Sequence, residues 1–413
     1  MQFDKLNLHE NILKALNELE YEKPTPIQSQ AIPEILAKKD VLGCAQTGTG
    51  KTAAFAIPIL QHLSIYDKKG SSKKIKSLIL APTRELALQI EESFDGYGKH
   101  LKLRHLAIFG GVSRTNQINI LRTRIDILIA TPGRLLDFLD TGIVDLSELE
   151  IFVLDEADKM LDMGFIDDIK RVVAKIPKKR QTLLFSATMP KEIKRLANDL
   201  LESPVNIAVS PESSTVEEIN QELFFVDRTN KRKLLQHIVK SYNFKSILIF
   251  TRTKHGANRI VRNLTKTKKI AEAIHSDKSQ NQRQNALKNF KEGKIRILVA
   301  TDIASRGIDI EELSCVINYD LPDVAETYVH RIGRTGRAGL GGVAISICDK
   351  EDMKNLRNIQ DLIGDEFKYI KNHPFTKKNL AKREAVNNNG NAHGSSEKRV
   401  NEKDRYKKIN NEK

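Results

Sequence analysis

The chain has 413 residues, of which 40% are apolar and 29% are charged. This length indicates two or three domains, and this composition is typical of globular proteins with buried cores. No apolar run is long enough to span a membrane, and the three cysteines lie far apart, so we expect a cytoplasmic protein without disulfides or a zinc cluster. The net charge of +15 favours a polyanionic partner, although excess lysine also serves solubility alone.

The first elements of the chain are predicted to be two helices. Residues 8–20 place leucine and isoleucine at helical spacing. A second apolar-periodic stretch follows the run Pro-Thr-Pro-Ile-Gln, which ends at Gln28. Taken alone, this run is an ordinary helix entry, because proline favours the first helical turn.

A glycine-rich segment comes next, between a predicted buried strand and an apolar helix. Residues 45–52 read Ala-Gln-Thr-Gly-Thr-Gly-Lys-Thr. Gly48 and Gly50 allow a tight loop whose backbone N–H groups face a phosphate chain, while Lys51 reaches the terminal phosphates and Thr52 ligates magnesium. The pattern predicts a site for a nucleoside triphosphate, and the alternative is a glycine-rich turn with a chance lysine.

Four short apolar strands follow this segment, and each ends in a polar cluster. They are predicted at residues 77–81, 126–130, 151–154 and 182–185. Since helical stretches alternate with them, the pattern predicts an α/β fold with a doubly wound parallel sheet. The carboxyl ends of such strands line the ligand crevice, so we expect the polar clusters to meet there.

Two carboxylates, Asp155 and Glu156, follow the third of these strands. A phosphate-bound magnesium ion needs a carboxylate, so Asp155 is the candidate ligand. Glu156 is placed to orient or deprotonate an attacking water. An acidic pair is also common at a helix N-terminus, but the nearby phosphate loop favours the catalytic interpretation.

The second half of the chain repeats the α/β pattern without a glycine–lysine loop. Residues 246–252 resemble residues 77–84 in form, and residues 296–301 resemble residues 126–131. We therefore predict a duplicated fold that lacks its own nucleotide site.

A short segment of this second half carries one histidine and three arginines, namely His330, Arg331, Arg334 and Arg337. Guanidinium groups suit bidentate phosphate binding, and a spacing of three residues lets them share a face in helical form. In a half without a phosphate loop, the cluster predicts a trans-acting arginine finger. The alternative is a solvated basic face.

Composition also predicts the domain boundaries. We expect a nucleotide-binding domain at residues 1–208, a linker at 209–216, a second α/β domain at 217–370 and a tail at 371–413. Serine, proline and threonine break the apolar pattern in the linker. The tail holds 12 Lys/Arg against 5 Asp/Glu and has no apolar periodicity, so it should be disordered and basic.

The motifs and their order resemble those of the DEAD-box ATP-dependent RNA helicases, over residues 1 to about 370. The phosphate loop matches the family from its first residue, Ala45, and residues 155–158 are the tetrad that names it. The remaining matches are residues 82–87, 110–111, 131–134, 186–188, 300–309 and 330–337. The chain looks most similar to the bacterial RhlE-like branch. The resemblance implies two tandem RecA-like domains, and it implies ATP and Mg²⁺ as ligands.

The resemblance also implies roles for individual residues. Nucleotide binding falls to Phe3, Tyr21, Gln28, Ala45, Gln46, Thr47, Gly48, Thr49, Gly50, Lys51, Thr52 and Asp309. Magnesium binding falls to Thr52 and Asp155, and catalysis to Lys51, Asp155, Glu156, Arg334 and Arg337. RNA is contacted by Thr83, Arg84, Gly111, Thr131, Arg134, Arg252, Gln280, Arg283 and Thr301. Hydrolysis is coupled to RNA through Asp158, Ser186, Thr188 and His330. The family usually has glycine where this chain has Glu20.

By this resemblance, the expected function is an RNA-stimulated ATPase that locally unwinds short duplexes or remodels RNA–protein complexes. The implied RNA contacts are hydroxyls, amides, glycines and arginines, which suit phosphate and sugar. Only 6% of the residues are aromatic, so base stacking should be rare and binding should be indifferent to sequence. The alternative is an ATP-gated RNA clamp or assembly scaffold with little unwinding. Ribosome-assembly or RNA-decay proteins are candidate partners.

Overall fold

Short aliphatic runs form the strands of two parallel β-sheets. The computed structural model describes residues 2–46, 48–66, 74–209, 219–266, 270–302, 313–336, 342–364 and 367–376. They form two compact units, and each unit contains one sheet of seven described strands. The sheets are parallel throughout the described pairs, so helices cover both faces.

The first unit is built from strands β1–β7 in the order β3-β4-β2-β5-β6-β1-β7. Their bounds are Val41–Cys44, Ser77–Leu80, His105–Ile108, Ile127–Ala130, Ile151–Leu154, Gln181–Ser186 and Val205–Ala208. Helices α1–α9 span Glu10–Glu18, Pro26–Leu36, Lys51–Tyr66, Arg84–Tyr97, Arg114–Leu121, Pro132–Asp140, Ala157–Asp162, Ile166–Val173 and Lys191–Leu200. A 3₁₀ turn at Phe3–Leu6 precedes them.

Both faces of this sheet are buried, as the aliphatic strands require. In β2, Ile79 packs into a core that includes side chains of α1–α4, whereas Leu78 and Leu80 pack into a second core with side chains of α6–α9. Successive strand residues point to opposite faces, so a buried strand needs apolar residues at every position.

The second unit repeats this architecture with strands β8–β14, in the order β10-β11-β9-β12-β13-β8-β14. The bounds are Ile219–Phe225, Ile247–Phe250, Ala271–Ile274, Ile297–Ala300, Cys315–Asn318, Gly342–Cys348 and Lys368–Tyr369. Helices α10–α14 span Lys231–Ser241, Lys254–Thr265, Gln280–Lys291, Ala325–Ile332 and Met353–Ile363. A 3₁₀ turn at Arg228–Asn230 lies just before α10.

The predicted α/β fold with two tandem doubly wound sheets is confirmed, because each strand of the second sheet takes the position of its counterpart in the first. The four strands expected after the glycine-rich segment are present, with bounds that differ by at most one residue. None of the helices within the described ranges is long and apolar enough to cross a lipid bilayer.

The two segments expected to lack regular structure are only partly described. Residues 210–216 of the predicted linker and residues 377–413 of the predicted tail lie outside the described residues. Composition predicts a tail from residue 371, but His373 is buried and its ring nitrogen lies 3.0 Å from the carbonyl oxygen of Phe225. Phe375 packs against the second unit's core, so the packed chain extends to at least this residue.

Candidate functional site

The glycine-rich segment connects the end of β1 to the first residue of α3, Lys51. Gly48 and Gly50 have φ angles of 82° and 89°, the left-handed region that other residues avoid. A Cβ atom on Gly50 would overlap the side-chain amide of Gln28. Glycine is therefore required at residue 50 by both backbone conformation and space.

The start of α2 braces this loop through two side chains. The Thr25 hydroxyl donates to the carbonyl of Thr49 at 2.8 Å, and Gln28 Nε2 donates to the carbonyl of Gly50 at 3.1 Å. Gln28 Oε1 accepts the N–H of Thr25 at 3.0 Å, so both polar atoms of the amide are engaged with backbone. Gln28 thus fixes the loop to α2, and its predicted contact with adenine remains a prediction.

The aromatic residues predicted beside the nucleotide form a cluster in the first unit. Phe3 is buried, with its ring centroid 6.2 Å from that of Tyr21. The Tyr21 hydroxyl is hydrogen-bonded to the Tyr97 hydroxyl at 2.9 Å. Glu20 has a φ of 59°, so the chain keeps the left-handed turn that glycine would favour at this position.

The predicted catalytic groups lie at the ends of β1 and β5, two strands that flank β6 in the sheet. Lys51 is buried, and its ammonium donates to the carbonyl of Ala45 at 2.5 Å. Asp155 directly follows β5 and is 2% exposed. Burial raises the pKa of Asp155 well above its ordinary value, and the ammonium of Lys51 opposes that rise because it lies nearby.

The donor set at this strand end fits magnesium. The Asp155 carboxylate and the Thr52 hydroxyl are hard oxygen ligands, and a buried carboxylate with a raised pKa is stabilised by a cation. Within the described ranges, no group of three or more His, Cys, Asp and Glu could hold a metal by itself. Magnesium in phosphate sites needs only one or two carboxylates, since phosphate and water complete its shell.

Glu156 lies in a turn between β5 and α7 with a φ of 55°. Its N–H donates to Asp155 Oδ1 at 3.0 Å, and its carboxylate accepts from the ammonium of Lys159 at 2.5 Å. Both partners of this ion pair are nearly completely buried. The sequence prediction missed Lys159, although the spacing of three residues from Glu156 on a helix is a signal for such a pair.

Three of the four predicted coupling residues are hydrogen-bonded to one another. The Thr188 N–H and hydroxyl donate to Asp158 Oδ2 at 2.9 and 3.0 Å. The Ser186 hydroxyl donates to the carbonyl of Thr188 at 2.7 Å and accepts the N–H of Asp158 at 3.2 Å. The carboxylate tetrad after β5 is thereby tied to the end of β6. The fourth residue, His330, lies on α13 of the second unit.

The predicted RNA contacts of the first unit also follow strand ends. The Thr83 hydroxyl caps α4 by accepting the N–H of Leu86 at 3.2 Å. The guanidinium of Arg84 lies against Gly111, where a Cβ atom would overlap it. Thr131 is the residue that precedes α6. These residues therefore surround the carboxyl end of the sheet, as predicted.

Arg134 is positioned by a residue that the sequence prediction missed. Its Nη1 donates to Gln117 Oε1 at 3.1 Å, and its guanidinium carbon lies 5.3 Å from the ring centroid of Phe138. Gln117 Nε2 in turn donates to the carbonyl of Phe109 at 3.0 Å. Gln117 is buried, and no motif marks it in the sequence.

The second unit carries the remaining predicted RNA contacts. Arg252 follows β9, and its Nη2 lies 3.3 Å from Asp352 Oδ1 and 3.4 Å from Asp323 Oδ1. Gln280 begins α12, and Arg283 lies one turn further along the helix. Thr301 follows β11, and its N–H donates to the carbonyl of Ile274 at 3.3 Å.

Of the three clustered arginines, the two that the structure describes, Arg331 and Arg334, do not share one helical face. Arg331 is buried and makes a bidentate ion pair with Asp302, at 2.6 and 2.7 Å. Helix α13 ends at Ile332, so Arg334 lies in the following turn. The expectation of a shared helical face is therefore wrong for Arg334. Arg337, Asp309 and Thr47 lie outside the described residues.

A second buried lysine was not predicted. Lys231 is the first residue of α10, and its ammonium lies 2.7 Å from Asp352, 3.2 Å from Asp349 and 3.3 Å from Asp320. The lysine is 3% exposed. These four residues form the Lys231 cluster, and they come from three segments that are too far apart in sequence for any spacing rule to connect.

Comparison with known proteins agrees with this geometry. Residues 25–196 match the DEAD/DEAH box helicase family, and residues 230–339 match the helicase conserved C-terminal domain. The DEAD-box ATP-dependent RNA helicase RhpA of Helicobacter pylori is 41% identical over 364 residues, which cover 88% of this chain and 73% of RhpA. DEAD-box ATP-dependent RNA helicase CshA of Bacillus subtilis is 42% identical over 358 residues, which cover 87% of this chain and 72% of CshA.

A solved structure extends the similarity to the three-dimensional fold. S. cerevisiae Dbp5 bound to RNA and ADP BeF3 is similar with a TM-score of 0.79 and 33% identity, over 89% of this chain and 95% of that one. The matched domains, the relatives and the order of the motifs lead to the same assignment. The chain belongs to the DEAD-box ATP-dependent RNA helicase family.

Proposed function

We propose that the chain hydrolyses ATP at the strand ends of its first unit and uses this hydrolysis to separate short RNA duplexes locally. The observation that carries the proposal is the position of Asp155. This buried carboxyl lies near the ammonium of Lys51 at the end of the phosphate loop, so the site offers both a cation for phosphate and a hard oxygen ligand for magnesium.

Each residue of this site has a separate role. Lys51 neutralises the charge of the terminal phosphates, while Thr52 and Asp155 hold magnesium. Bound magnesium supplies Lewis-acid stabilisation of the transferred phosphoryl group. Glu156 orients the attacking water and accepts its proton, and the ion pair with Lys159 holds this carboxylate in place. The fixed turn at Glu156 holds the carboxylate in one direction.

The network of Asp158, Ser186 and Thr188 supports a role in coupling. It joins the carboxylate tetrad to the end of β6, so a change at either strand end moves the hydrogen bonds of the other. We propose that this network, together with His330, links hydrolysis to RNA binding. The RNA backbone is contacted by the strand-end residues of both units named above.

We also propose that Arg334 and Arg337 stabilise the charge that develops in phosphoryl transfer. The support is the unequal distribution of residues, because only the first half has a phosphate loop and only the second half has this arginine cluster. The domain bounds, the similarity to the RhlE-like branch and the partners in ribosome assembly or RNA decay stay predictions. A cytoplasmic location is likewise a proposal, supported by three cysteines that are all free thiols.

The test combines two measurements on the full chain. ATP hydrolysis is measured without polymer, with RNA and with DNA, and RNA should stimulate it most. Displacement of a short RNA duplex is then measured with ATP and without it. Displacement of the RNA duplex that requires ATP would support the proposed helicase function. RNA-stimulated hydrolysis without displacement would instead identify the ATP-gated clamp, and no stimulation by RNA would contradict both.

A further inference from the structure

A groove in the second unit lies beside the Lys231 cluster. It has a volume of about 500 Å³ and runs between α10 and α11, close to the ends of β8 and β9. In open α/β sheets, ligands bind outside the carboxyl ends of the strands. The volume is also within the range of ligand sites. Of the residues that line the groove, only Arg252 has a role in the function proposed above.

Two arginines line opposite walls of this groove, Arg232 on α10 and Arg259 on α11. Both are exposed, and within the described ranges neither has an ion pair or a hydrogen-bonded side chain as partner. The acidic residues of the groove are different, because they already have cations. Glu351 pairs with Arg228, and the three aspartates pair with Lys231 or Arg252.

The floor of the groove is formed by the half-buried Tyr319. The ammonium of Lys231 lies 5.5 Å from the ring centroid of Tyr319, and burial raises the pKa of the phenol while Lys231, Arg232 and Arg259 oppose that rise. Helices α10 and α11 both begin at the groove, and helix N-termini attract anions. Other polar groups at the walls are Thr229, Gln236, Thr253 and Asn263. Hydroxyls, amides and guanidinium groups suit phosphate and sugar.

We propose that this groove binds the phosphate backbone of a single RNA strand that continues beyond Arg252, with Arg232 and Arg259 as the phosphate contacts. The proposal rests on the proposed function, in which Arg252 contacts RNA. A strand suits the groove better than a free nucleotide does. Residues 226–230 contain no glycine for a phosphate loop, and Lys231 is already neutralised by three carboxylates.

The test uses two double variants that remove the same charge from the same two helices. The groove variant is Arg232→Gln with Arg259→Gln. The matched control is Lys233→Gln with Arg262→Gln, which are exposed and do not line the groove. Binding of a single-stranded RNA to the full chain is measured over a range of salt concentrations, and thermal unfolding confirms that both variants are folded.

Each phosphate contact contributes about 0.7 to the salt slope of single-stranded binding, so the groove variant should lose about 1.4 units of slope. Relative to 1 M salt, this loss corresponds to about 25-fold weaker binding at 0.1 M salt. The control should keep a nearly native slope. Equal slopes for the two variants would overturn the proposal, because net charge alone would then explain the effect.

A second arm separates RNA from small anions. Binding of inorganic tripolyphosphate to the same variants is measured directly. One outcome is that the groove variant alone loses tripolyphosphate binding while the salt slope of its RNA binding stays native. In that case the groove is a small-anion site and the RNA proposal is overturned. A native chain whose ATPase does not respond to RNA would contradict the proposed function instead, whereas the groove is judged from the binding slopes alone.

Discussion

The two units place a lysine at corresponding positions but surround it with different charges. Lys51 begins the helix after β1, and Lys231 begins the helix after β8. Strand β1 lies between β6 and β7, and β8 lies between β13 and β14, so the two strands correspond. Lys51 donates to a backbone carbonyl at the glycine loop, whereas Lys231 is held by three aspartates.

This difference explains how one architecture can support two functions. The first unit keeps a cation that a phosphate chain from solution can neutralise. The second unit supplies its own carboxylates, and a 3₁₀ turn at Arg228–Asn230 replaces the glycine loop. The carboxyl groups of the two sites also differ. Asp155 in the first unit has a raised pKa, whereas Asp320 in the second unit has a lowered pKa. Because Lys231 is neutralised within the chain, its charge is not available to a phosphate chain as that of Lys51 is.

The largest effect is expected where the second unit acts on hydrolysis. Arg334→Lys keeps the charge but loses the planar guanidinium, so RNA-stimulated ATP hydrolysis should fall steeply. An arginine on the transferred phosphoryl group is worth on the order of 10³–10⁵ in rate. The matched control is Arg357→Lys on the exposed face of α14. Native turnover in the Arg334 variant would show that the second unit does not contribute this arginine.

A somewhat smaller loss is expected from the carboxylate that acts on water in the first unit. Glu156→Gln should slow ATP hydrolysis by a factor on the order of 10²–10⁴, because it removes a general base. ATP and RNA binding should remain, and both are measured by equilibrium titration. The control is Glu192→Gln at the exposed start of α9. If Glu156→Gln hydrolyses ATP at the native rate, the role in water activation is wrong.

The contrast between the lysines predicts that the same substitution lowers stability far more at Lys231 than at Lys51. Lys231→Met leaves buried aspartates without their main cation and should lower the free energy of unfolding by about 3–5 kcal/mol. Lys51→Met removes one hydrogen bond and the ammonium near Asp155, and it should cost only about 1 kcal/mol without nucleotide, because Asp155 has a raised pKa and can take up a proton instead. ATP binding should show the reverse order, since only Lys51 contacts phosphate. Chemical denaturation and ATP titration of both variants check this, and equal destabilisation would contradict it.

The smallest effect concerns the aspartates. Asp155→Asn should raise the free energy of unfolding of the nucleotide-free chain by about 1–2 kcal/mol while hydrolysis is lost, because burial disfavours the charged form of this carboxyl and raises its pKa. Asp320→Asn should lower it, since this carboxylate pairs with Lys231 and accepts the hydroxyl of Thr251 at 2.7 Å. Thermal unfolding of both variants at pH 7 measures the difference, and shifts of the same sign would contradict it.

The pKa shifts of Asp320 and Lys231 predict how the stability that this ion pair contributes depends on pH. Burial raises the pKa of Asp320, but Lys231 and hydrogen bonds from Arg252 and Thr251 lower it further, so the net pKa lies below the ordinary 3.8. The stability that Asp320 contributes is therefore present above pH 3.8 and is lost as the pH falls through the folded-state pKa. Lys231 has a raised pKa, so its contribution is lost only at alkaline pH.

The strands and the strand-end motifs were predictable because their signals are local. A run such as residues 151–154 is apolar at every position, and the polar residues that follow can only lie at its carboxyl end. The duplication was visible in the same way, from similar strand ends in the two halves. Topology then brings these ends together, so correct strands were sufficient to place Lys51, Asp155 and Ser186 at one edge.

Residues whose partners are distant in sequence were not predictable. The arginine spacing predicts a phosphate-binding face that includes Arg331, but Asp302, 29 residues earlier, holds this side chain inside the unit. Gln117 has no motif, and its importance depends on the position of Arg134 in space. The Lys231 cluster joins residues of three separate segments. The sequence offers one signal for this cluster, because Lys231 begins the helix after β8 just as Lys51 begins the helix after β1.

The internally neutralised lysine also changes how the protein responds to metabolism. Ligand that binds only the folded state stabilises it by mass action, by about 2.7 kcal/mol when its concentration is 100 times the dissociation constant. Because Lys51 binds a ligand from solution, the stability of the first unit depends on the ligand concentration. The aspartates around Lys231 belong to the chain, so the stability that they contribute does not depend on any concentration. When a starved cell exhausts its ATP, proteases should therefore meet a weakened first unit beside a second unit of undiminished stability.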